Sequence, residues 1–376
     1  MIKVLTILGT RPEIIRLSRV MARLDAHQHI QHVVAHTGQN YDYELNAVFF
    51  DEMGIRKPDH FMGIDTSSLG ATLGDILRHS ETVMRAEKPD ALLVLGDTNS
   101  ALSTIIARRL HIPIYHMEAG NRSFDANVPE EANRRIVDHT ADFNLVYTER
   151  ARQHLLAEGL PHRKIYLTGS PMYEVLTHYR AAIEKSGVLA ELGLEPGGYF
   201  LASLHREENV DYPDNLRTLM ASLEALHRQH GLPVIVSTHP RTRKRLVELG
   251  YDLDAVAGCR FMKPFGFFDY NALQMHARCV LSDSGTISEE AAILGFPAIT
   301  VRNSMERPEA LDAGSIVICG LETEAILAAI DTQTGPGERP PPPPEYLVAN
   351  TSERVVKLIV GTCGLAARWD NLLKAR

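Results

Sequence analysis

The sequence predicts an α/β protein of two doubly wound parallel-sheet domains facing a cleft. Short apolar runs bounded by Gly, Asp or Pro alternate with segments of helical period, the mark of parallel strands joined by crossover helices. The alternation stops near 167-LTGSPMYEVL-176 and then starts again. The length of 376 residues also exceeds one ordinary core and is that of two domains.

In the first half the expected strands are VLTILG, HVVAHTG, ALLVLGD, IPIYHMEAG and FNLVYT. Helices are expected from about Pro12, over about 68–87, near 100–110 and from about Pro129. The second half supplies YFLASLH, PVIVSTH, RCVLSDSG, PAITVR and SIVICG, with helices near 214–230, after His239 and from about Thr286. The tract 335-GPGERPPPPPEYL-347 is expected to run extended over the surface, because proline lacks an amide donor and clashes with a preceding helical turn. The expected division is 1–168, 169–349 and a C-terminal helix in 350–376 that packs back on the first domain.

Composition narrows the function classes. A formal charge of −8 argues against nucleic acid as a partner, since such binding needs a basic face. No apolar run reaches the roughly 18 residues that cross a bilayer, and the N-terminus has the charged RPE where a secretory signal would need a longer apolar core. A cytoplasmic protein that does not enter membranes is expected. The four cysteines lack CxxC spacing, which points to buried small apolar residues rather than disulfides or zinc. The basic run 239-HPRTRKRLVELG-250 reads as a solvated helix start or as a rim attracting an anion.

In open α/β sheets ligands bind beyond the carboxyl ends of the strands, so the residues just after each strand carry the argument. In 8-LGTRPEII-15 a tight turn at Gly9 leads into a helix start at Pro12, which makes an anion site at Arg11 possible without the GxGxxG of a dinucleotide fold. In 281-LSDSGTISEEAAILG-295, Ser284, Gly285 and Thr286 open a helix where free amides favour phosphate, and Glu289 or Glu290 can reach ribose hydroxyls. An ordinary capping box is the alternative there. Asp97, Glu118 and His205 each follow a strand, and Glu130 and Glu131 open a helix. Asp97 can equally cap the next helix, Glu131 can serve the helix dipole, and Asp125 suits a turn. Scattered His and Asp without ligand spacing make no case for a metal.

Seven motifs together carry a resemblance: GTRPEIIRLS, HTGQNYDYELN, LGDTNS, HMEAGNRSFDANVPEEANR, HREEN, LSDSGTISEEA and RNSMERPEA. In this order, from residue 3 to about 320, they resemble the bacterial non-hydrolysing UDP-N-acetylglucosamine 2-epimerase family. The resemblance implies a GT-B fold, a UDP-N-acetylhexosamine substrate, no added cofactor and a homodimer. It implies that Arg11, Ser284, Gly285, Thr286, Glu290 and Arg307 hold the nucleotide, with Phe265 and Tyr270 near the uracil. Asp97, Glu118, Glu130 and His205 fall on the family's catalytic positions. Arg134 is expected to neutralise or orient the acids, and Arg16 stands where the family usually has Lys.

The implied chemistry explains the acids. The C2 hydrogen of such a sugar is not beside a carbonyl, so inversion proceeds by loss of UDP from C1 as C2 loses its proton, then re-addition to the 2-acetamidoglycal. That path needs a base on one face, an acid on the other and cations on the leaving diphosphate. Crowding or burial is expected to raise one carboxyl toward neutrality. The motifs lean toward the branch that forms UDP-N-acetyl-L-fucosamine from UDP-2-acetamido-2,6-dideoxy-L-talose for capsule and O-antigen. The alternatives are UDP-N-acetylglucosamine 2-epimerase and, more remotely, a GT-B glycosyltransferase. Gln39 is kept from the glucosamine enzymes' allosteric motif, but Asp42 and Gly70 replace its second Gln and its Arg, so activation by that sugar is not expected.

Overall fold

The structure, a computed structural model, describes residues 1–38 and 50–369. Chain contacts divide it into two units, Met1–Thr177 with the segment from Glu345 onward, and His178–Pro344. The division falls inside the helix Met172–Glu184 rather than at 168/169.

The first unit is built on a parallel seven-stranded sheet in the order β3-β2-β1-β4-β5-β6-β7. Its strands are β1 Ile2–Leu8, β2 Ile30–His36, β3 His60–Phe61, β4 Ala91–Leu95, β5 Ile114–Ala119, β6 Phe143–Val146 and β7 Ile165–Leu167. β4, β5 and β6 are buried along their whole length, which is why they read as unbroken apolar runs. The expected helix near 100–110 divides into a 3₁₀ turn, Asn99–Ser103, and a short α-helix, Thr104–Arg109. The C-terminal helix Thr351–Trp369 belongs to this unit. Arg23 Nε donates to Ser352 Oγ at 2.9 Å, Tyr115 and Thr362 share a hydroxyl bond of 2.7 Å, and Trp369 lies against Phe143.

The second unit repeats the plan in a parallel six-stranded sheet, order β10-β9-β8-β11-β12-β13. The strands are β8 Phe200–Ser203, β9 Val234–Ser237, β10 Cys259–Met262, β11 Cys279–Ser282, β12 Ala298–Thr300 and β13 Val317–Ile318. β10 was not expected from the sequence. It is a four-residue edge strand, only partly buried, so it lacks the apolar run that marks a central strand. The proline tract has no regular structure until the 3₁₀ turn Pro344–Leu347.

Counted within each unit, the first six strands follow one order, 3-2-1-4-5-6, that of a Rossmann fold. The order reverses between β1 and β4 in the first unit and between β8 and β11 in the second. Those two switch points are where such sheets bind ligands. Among the described residues no helix is long and apolar enough to cross a membrane.

Candidate functional site

At the first switch point, β1 runs into Gly9 and Thr10, and the helix Arg11–Asp25 begins. Proline fits the first turn of that helix because its missing amide hydrogen would have no intrahelical partner. Arg11 is partly exposed at this helix start, whereas Arg16, further along the helix, is fully buried. Arg16 Nη1 lies 3.5 Å from Glu118 Oε2, and its guanidinium sits 5.8 Å from the Tyr147 ring centre.

Glu118 stands at an irregularity. The register between β5 and β6 slips between Met117 and Ala119, and Glu118 takes a left-handed φ of 66°. Such a conformation is costly for a side chain with a Cβ and is kept only where neighbours over-determine it. The bulge turns the carboxyl toward Arg16 and the Asp97 turn: a Cβ placed on Gly96 would lie 3.9 Å from Glu118 Cδ. Gly120 follows with φ 80°, and a Cβ there would meet the Ala151 carbonyl oxygen at 2.4 Å, so only glycine fits.

Asp97 does not cap the next helix; Thr98 takes the N-cap position. Asp97 Oδ2 instead accepts from Arg134 Nε at 2.7 Å, and Asn133 Nδ2 donates to its carbonyl at 2.9 Å. Both partners lie on the helix Glu130–Thr140, which Glu130 opens in a half-buried position. Glu131 points inward and accepts from Ser123 N, Ser123 Oγ and Arg134. Burial disfavours its charge, but the Ser123 amide and Arg134 outweigh burial and hold its carboxyl below the usual range. Asp125 is a turn former whose Oδ1 accepts from the Asn127 amide. Arg122 is drawn away from these acids. It bonds Asp138 and Glu158 in the interior, where Asp138 also receives the Gly120 amide.

The carboxyl that burial raises is Glu13, outside the expected set. It is buried at 1% exposure and pushed up to about 7, against hydrogen bonds from Ser100, Thr10, Gly9 and Thr98. Its Oε2 accepts from the Gly9 and Thr10 amides and Thr10 Oγ1, and its Oε1 accepts from Ser100 Oγ. The T-x-x-E spacing of a capping box was the available signal in GTRPE.

At the second switch point the organising residue is Asp283, which the sequence reading passed over. It is wholly buried after β11 and accepts from the His205 and Arg206 amides and from Asn209 Nδ2. Its Oδ1 also lies 3.1 Å from His205 Nδ1, while the imidazole stays 39% exposed. Burial opposes its ionisation, yet the His205 charge and these donors hold the Asp283 carboxyl below the usual range. With Nδ1 turned to the carboxylate, Nε2 is left for exchange with a ligand.

Ser284, Gly285 and Thr286 then lead into the helix Ile287–Leu294. Thr286 is its N-cap without a side-chain cap bond, so the capping-box reading does not hold. A side chain at Gly285 would have to displace the ends of Arg307 and Glu306. A Cβ would lie 2.6 Å from Arg307 Nη1, which donates to the Gly285 carbonyl at 2.5 Å. Glu306 joins Arg206 and Arg302 at 3.0 and 2.6 Å beside the same turn. Glu290 accepts from Gln274 Nε2 at 2.9 Å, tying this helix to Phe267–His276. Tyr270 lies on that second helix and Phe265 just before it, both half-buried. The second unit therefore gathers Arg206, Arg302 and Arg307 beside the small residues of a helix start, a setting suited to an anion.

The basic run after His239 takes the solvated reading. Arg241 pairs with Glu207 and Asp211, and Arg245 with Asp211 and Glu248. Among the described residues no group of three or more His, Cys, Asp or Glu is placed to hold a metal ion. Gln39 and Asp42 lie outside the described residues, and Gly70 is exposed.

A family model described as UDP-N-acetylglucosamine 2-epimerase matches residues 22–360. The chain belongs to this epimerase family. Among its relatives, a UDP-N-acetylglucosamine 2-epimerase of Methanocaldococcus jannaschii is 36% identical over 88% of this chain and 91% of its own. A UDP-2,3-diacetamido-2,3-dideoxy-D-glucuronate 2-epimerase of Pseudomonas aeruginosa is 34% identical over 89% and 92%. Among solved structures, a UDP-N-acetylglucosamine 2-epimerase from Rickettsia bellii superposes with a TM-score of 0.90 at 45% identity, covering 98% of both chains. The Methanocaldococcus jannaschii UDP-GlcNAc 2-epimerase in complex with UDP-GlcNAc and UDP gives 0.89 at 33%, covering 96% of this chain and 100% of that one. Membership in the epimerase family makes this chain a UDP-N-acetylhexosamine 2-epimerase, an isomerase of GT-B fold.

Proposed function

We propose that the chain inverts C2 of its UDP-N-acetylhexosamine by anti-elimination of UDP and re-addition to a 2-acetamidoglycal, with the work divided between the two clusters. The second unit binds UDP. Amides at Ser284, Gly285 and Thr286 and the Arg307 guanidinium take the diphosphate, Glu290 the ribose, and Phe265 and Tyr270 the uracil. Arg11 adds a cation to the leaving diphosphate. Asp97, Glu118 and Glu130 move the C2 proton, and His205 presents Nε2 to the departing group.

The observation that carries this division is the pairing of Asp97 with Arg134 and of Glu118 with Arg16 at a Rossmann switch point. Asp97 is oriented by a hydrogen bond from Arg134 at 2.7 Å and Glu118 faces the Arg16 guanidinium at 3.5 Å, an ordering that supports proton transfer from a fixed carbon. Arg16 in place of lysine substitutes a planar fork for a point charge.

For the sugar, the motif resemblance supports UDP-2-acetamido-2,6-dideoxy-L-talose, giving UDP-N-acetyl-L-fucosamine for surface polysaccharide such as capsule or O-antigen, made by a cytoplasmic homodimer. A second reading, UDP-N-acetylglucosamine itself, is favoured by the names of several relatives. Each UDP-sugar is to be offered alone, without an acceptor, in deuterium oxide and followed by NMR. Inversion with deuterium entering at C2 is expected for the talose derivative. Turnover that keeps the C2 proton sinks the elimination mechanism; turnover of UDP-N-acetylglucosamine alone sinks the fucosamine assignment.

A further inference from the structure

The Asp97 turn has two tethers, and only one belongs to the residues given roles above. On one side the helix Glu130–Thr140 holds it: Arg134 bonds the Asp97 carboxylate, and Asn133 Nδ2 donates to the Asp97 carbonyl and to Asn99 Oδ1 at 2.9 and 3.1 Å. On the other side the helix that Arg11 opens holds it through Glu13. Ser100 Oγ lies 2.5 Å from Glu13 Oε1 and 2.5 Å from Thr98 Oγ1, so a chain Glu13–Ser100–Thr98 runs from the buried carboxyl to the residue beside Asp97. The other carboxylate oxygen of Glu13 gathers Gly9 and Thr10, the turn that leads into Arg11.

We propose that Glu13 and Ser100 are positioning residues, forming a strut across the β1/β4 switch point that fixes the Asp97 turn against the Arg11 turn. The inference rests on the reading of Asp97 and Arg11 as substrate-handling groups. The strut is adapted to hold in both charge states of Glu13. Ionised, Glu13 accepts from Ser100, which accepts from Thr98; protonated, Glu13 donates to Ser100, which donates onward to Thr98. A buried carboxyl that burial raises toward neutrality thus keeps its partners as it gains or loses its proton. Hydroxyls suit this purpose because their protons rotate, whereas an amide or guanidinium would fix one direction. Neither Glu13 nor Ser100 touches the reacting atoms in this scheme; each acts through the Asp97 turn.

The test uses the full chain, UDP-N-acetylhexosamine turnover, UDP affinity by calorimetry, and near-ultraviolet circular dichroism to establish that each variant is folded. Ser100→Ala, which cuts the link between Glu13 and Thr98, is expected to lower kcat by about ten- to a hundredfold, the scale of one hydrogen bond to a charged group, with UDP affinity unchanged. Glu13→Ala, which also releases Gly9 and Thr10 and so the Arg11 turn, is expected to lower kcat at least as far and to weaken UDP binding. Glu13→Gln, whose amide oxygen can take the Gly9 and Thr10 donors while its nitrogen donates to Ser100, is expected to restore most of what Glu13→Ala loses. In an Asp97→Asn background, Ser100→Ala should cost nothing further, because its effect passes through Asp97. Equal losses from Ser100→Ala in both backgrounds, or wild-type kcat in Ser100→Ala, overturn the strut. Full turnover by Asp97→Asn overturns instead the reading of Asp97, and with it the purpose assigned to the strut.

Discussion

In each unit a buried carboxylate joins the two turns of the switch point, and the two behave oppositely. Glu13 joins the turns after β1 and β4; Asp283 joins those after β8 and β11. Both are buried and both receive several donors. Glu13 is nevertheless pushed up to about 7, while Asp283 is held below the usual range. The difference is a facing imidazole. Every donor to Glu13 is neutral, whereas Asp283 faces His205 Nδ1 at 3.1 Å. Hydrogen bonds from amides and hydroxyls alone do not offset the desolvation of a carboxylate here; a facing imidazole does.

The largest effect is expected where that comparison is broken outright. Asp283→Ala leaves the His205 and Arg206 amides and Asn209 without their acceptor, a loss of about 3 kcal/mol. Chemical unfolding should report it, and a loss under about 1 kcal/mol would mean that Asp283 is not what holds this turn.

Next comes pH. The folded-state carboxyl of Glu13 lies above its ordinary value of 4.5, so the folded state binds the proton more tightly. Its contribution is fully present below about pH 4.5 and is lost as pH rises toward and through about 7, on the order of 3 kcal/mol over that window. Asp283 has the opposite sign: its contribution is present above the unfolded carboxylate range and is lost as pH falls through its depressed folded value. Unfolding of wild type and Glu13→Gln at pH 5 and pH 8 isolates the Glu13 contribution. The wild type should lose more stability between the two, and parallel pH dependence would remove Glu13 from this account.

Amide substitution sharpens the contrast further. Glu13→Gln should change stability near pH 7 by only about 1 kcal/mol, because the site already accommodates a neutral group, whereas Asp283→Asn should cost clearly more. Equal costs, measured by thermal unfolding, would show that the facing imidazole is irrelevant.

Asp211 serves as the surface control and the smallest effect. Burial works against its charge, but Arg241 and Arg245 hold it below the usual range at a partly exposed position. Arg241→Ala should cost under about 1 kcal/mol and leave UDP affinity alone. A loss of UDP affinity in calorimetry would return the basic run to the role of an anion rim.

Much of this was legible in the sequence. The strands whose ends carry the candidate site, β1, β4, β5, β8 and β11, are buried apolar runs, and buried parallel strands announce themselves in that way. Edge elements such as β3 and β10 escaped because their side chains are partly exposed and short. Within the site, the seven motifs identified the residues by type and order. They did not show that Arg122 turns inward to Asp138, that Glu131 is spent on Ser123 and Arg134, or that Asp283 stands behind His205.

The sequence by itself determined two doubly wound sheets and which strand ends carry acids, arginines and small residues, because burial pattern and turn chemistry are local properties. Only the tertiary structure decided which charges meet: Arg16 with Glu118, Arg134 with Asp97, Ser100 with Glu13. Those partners lie 102, 37 and 87 positions apart, and no local pattern couples residues at such separations. A carboxylate's charge in a buried turn depends on the group facing it, and strand order brings that group from elsewhere in the chain.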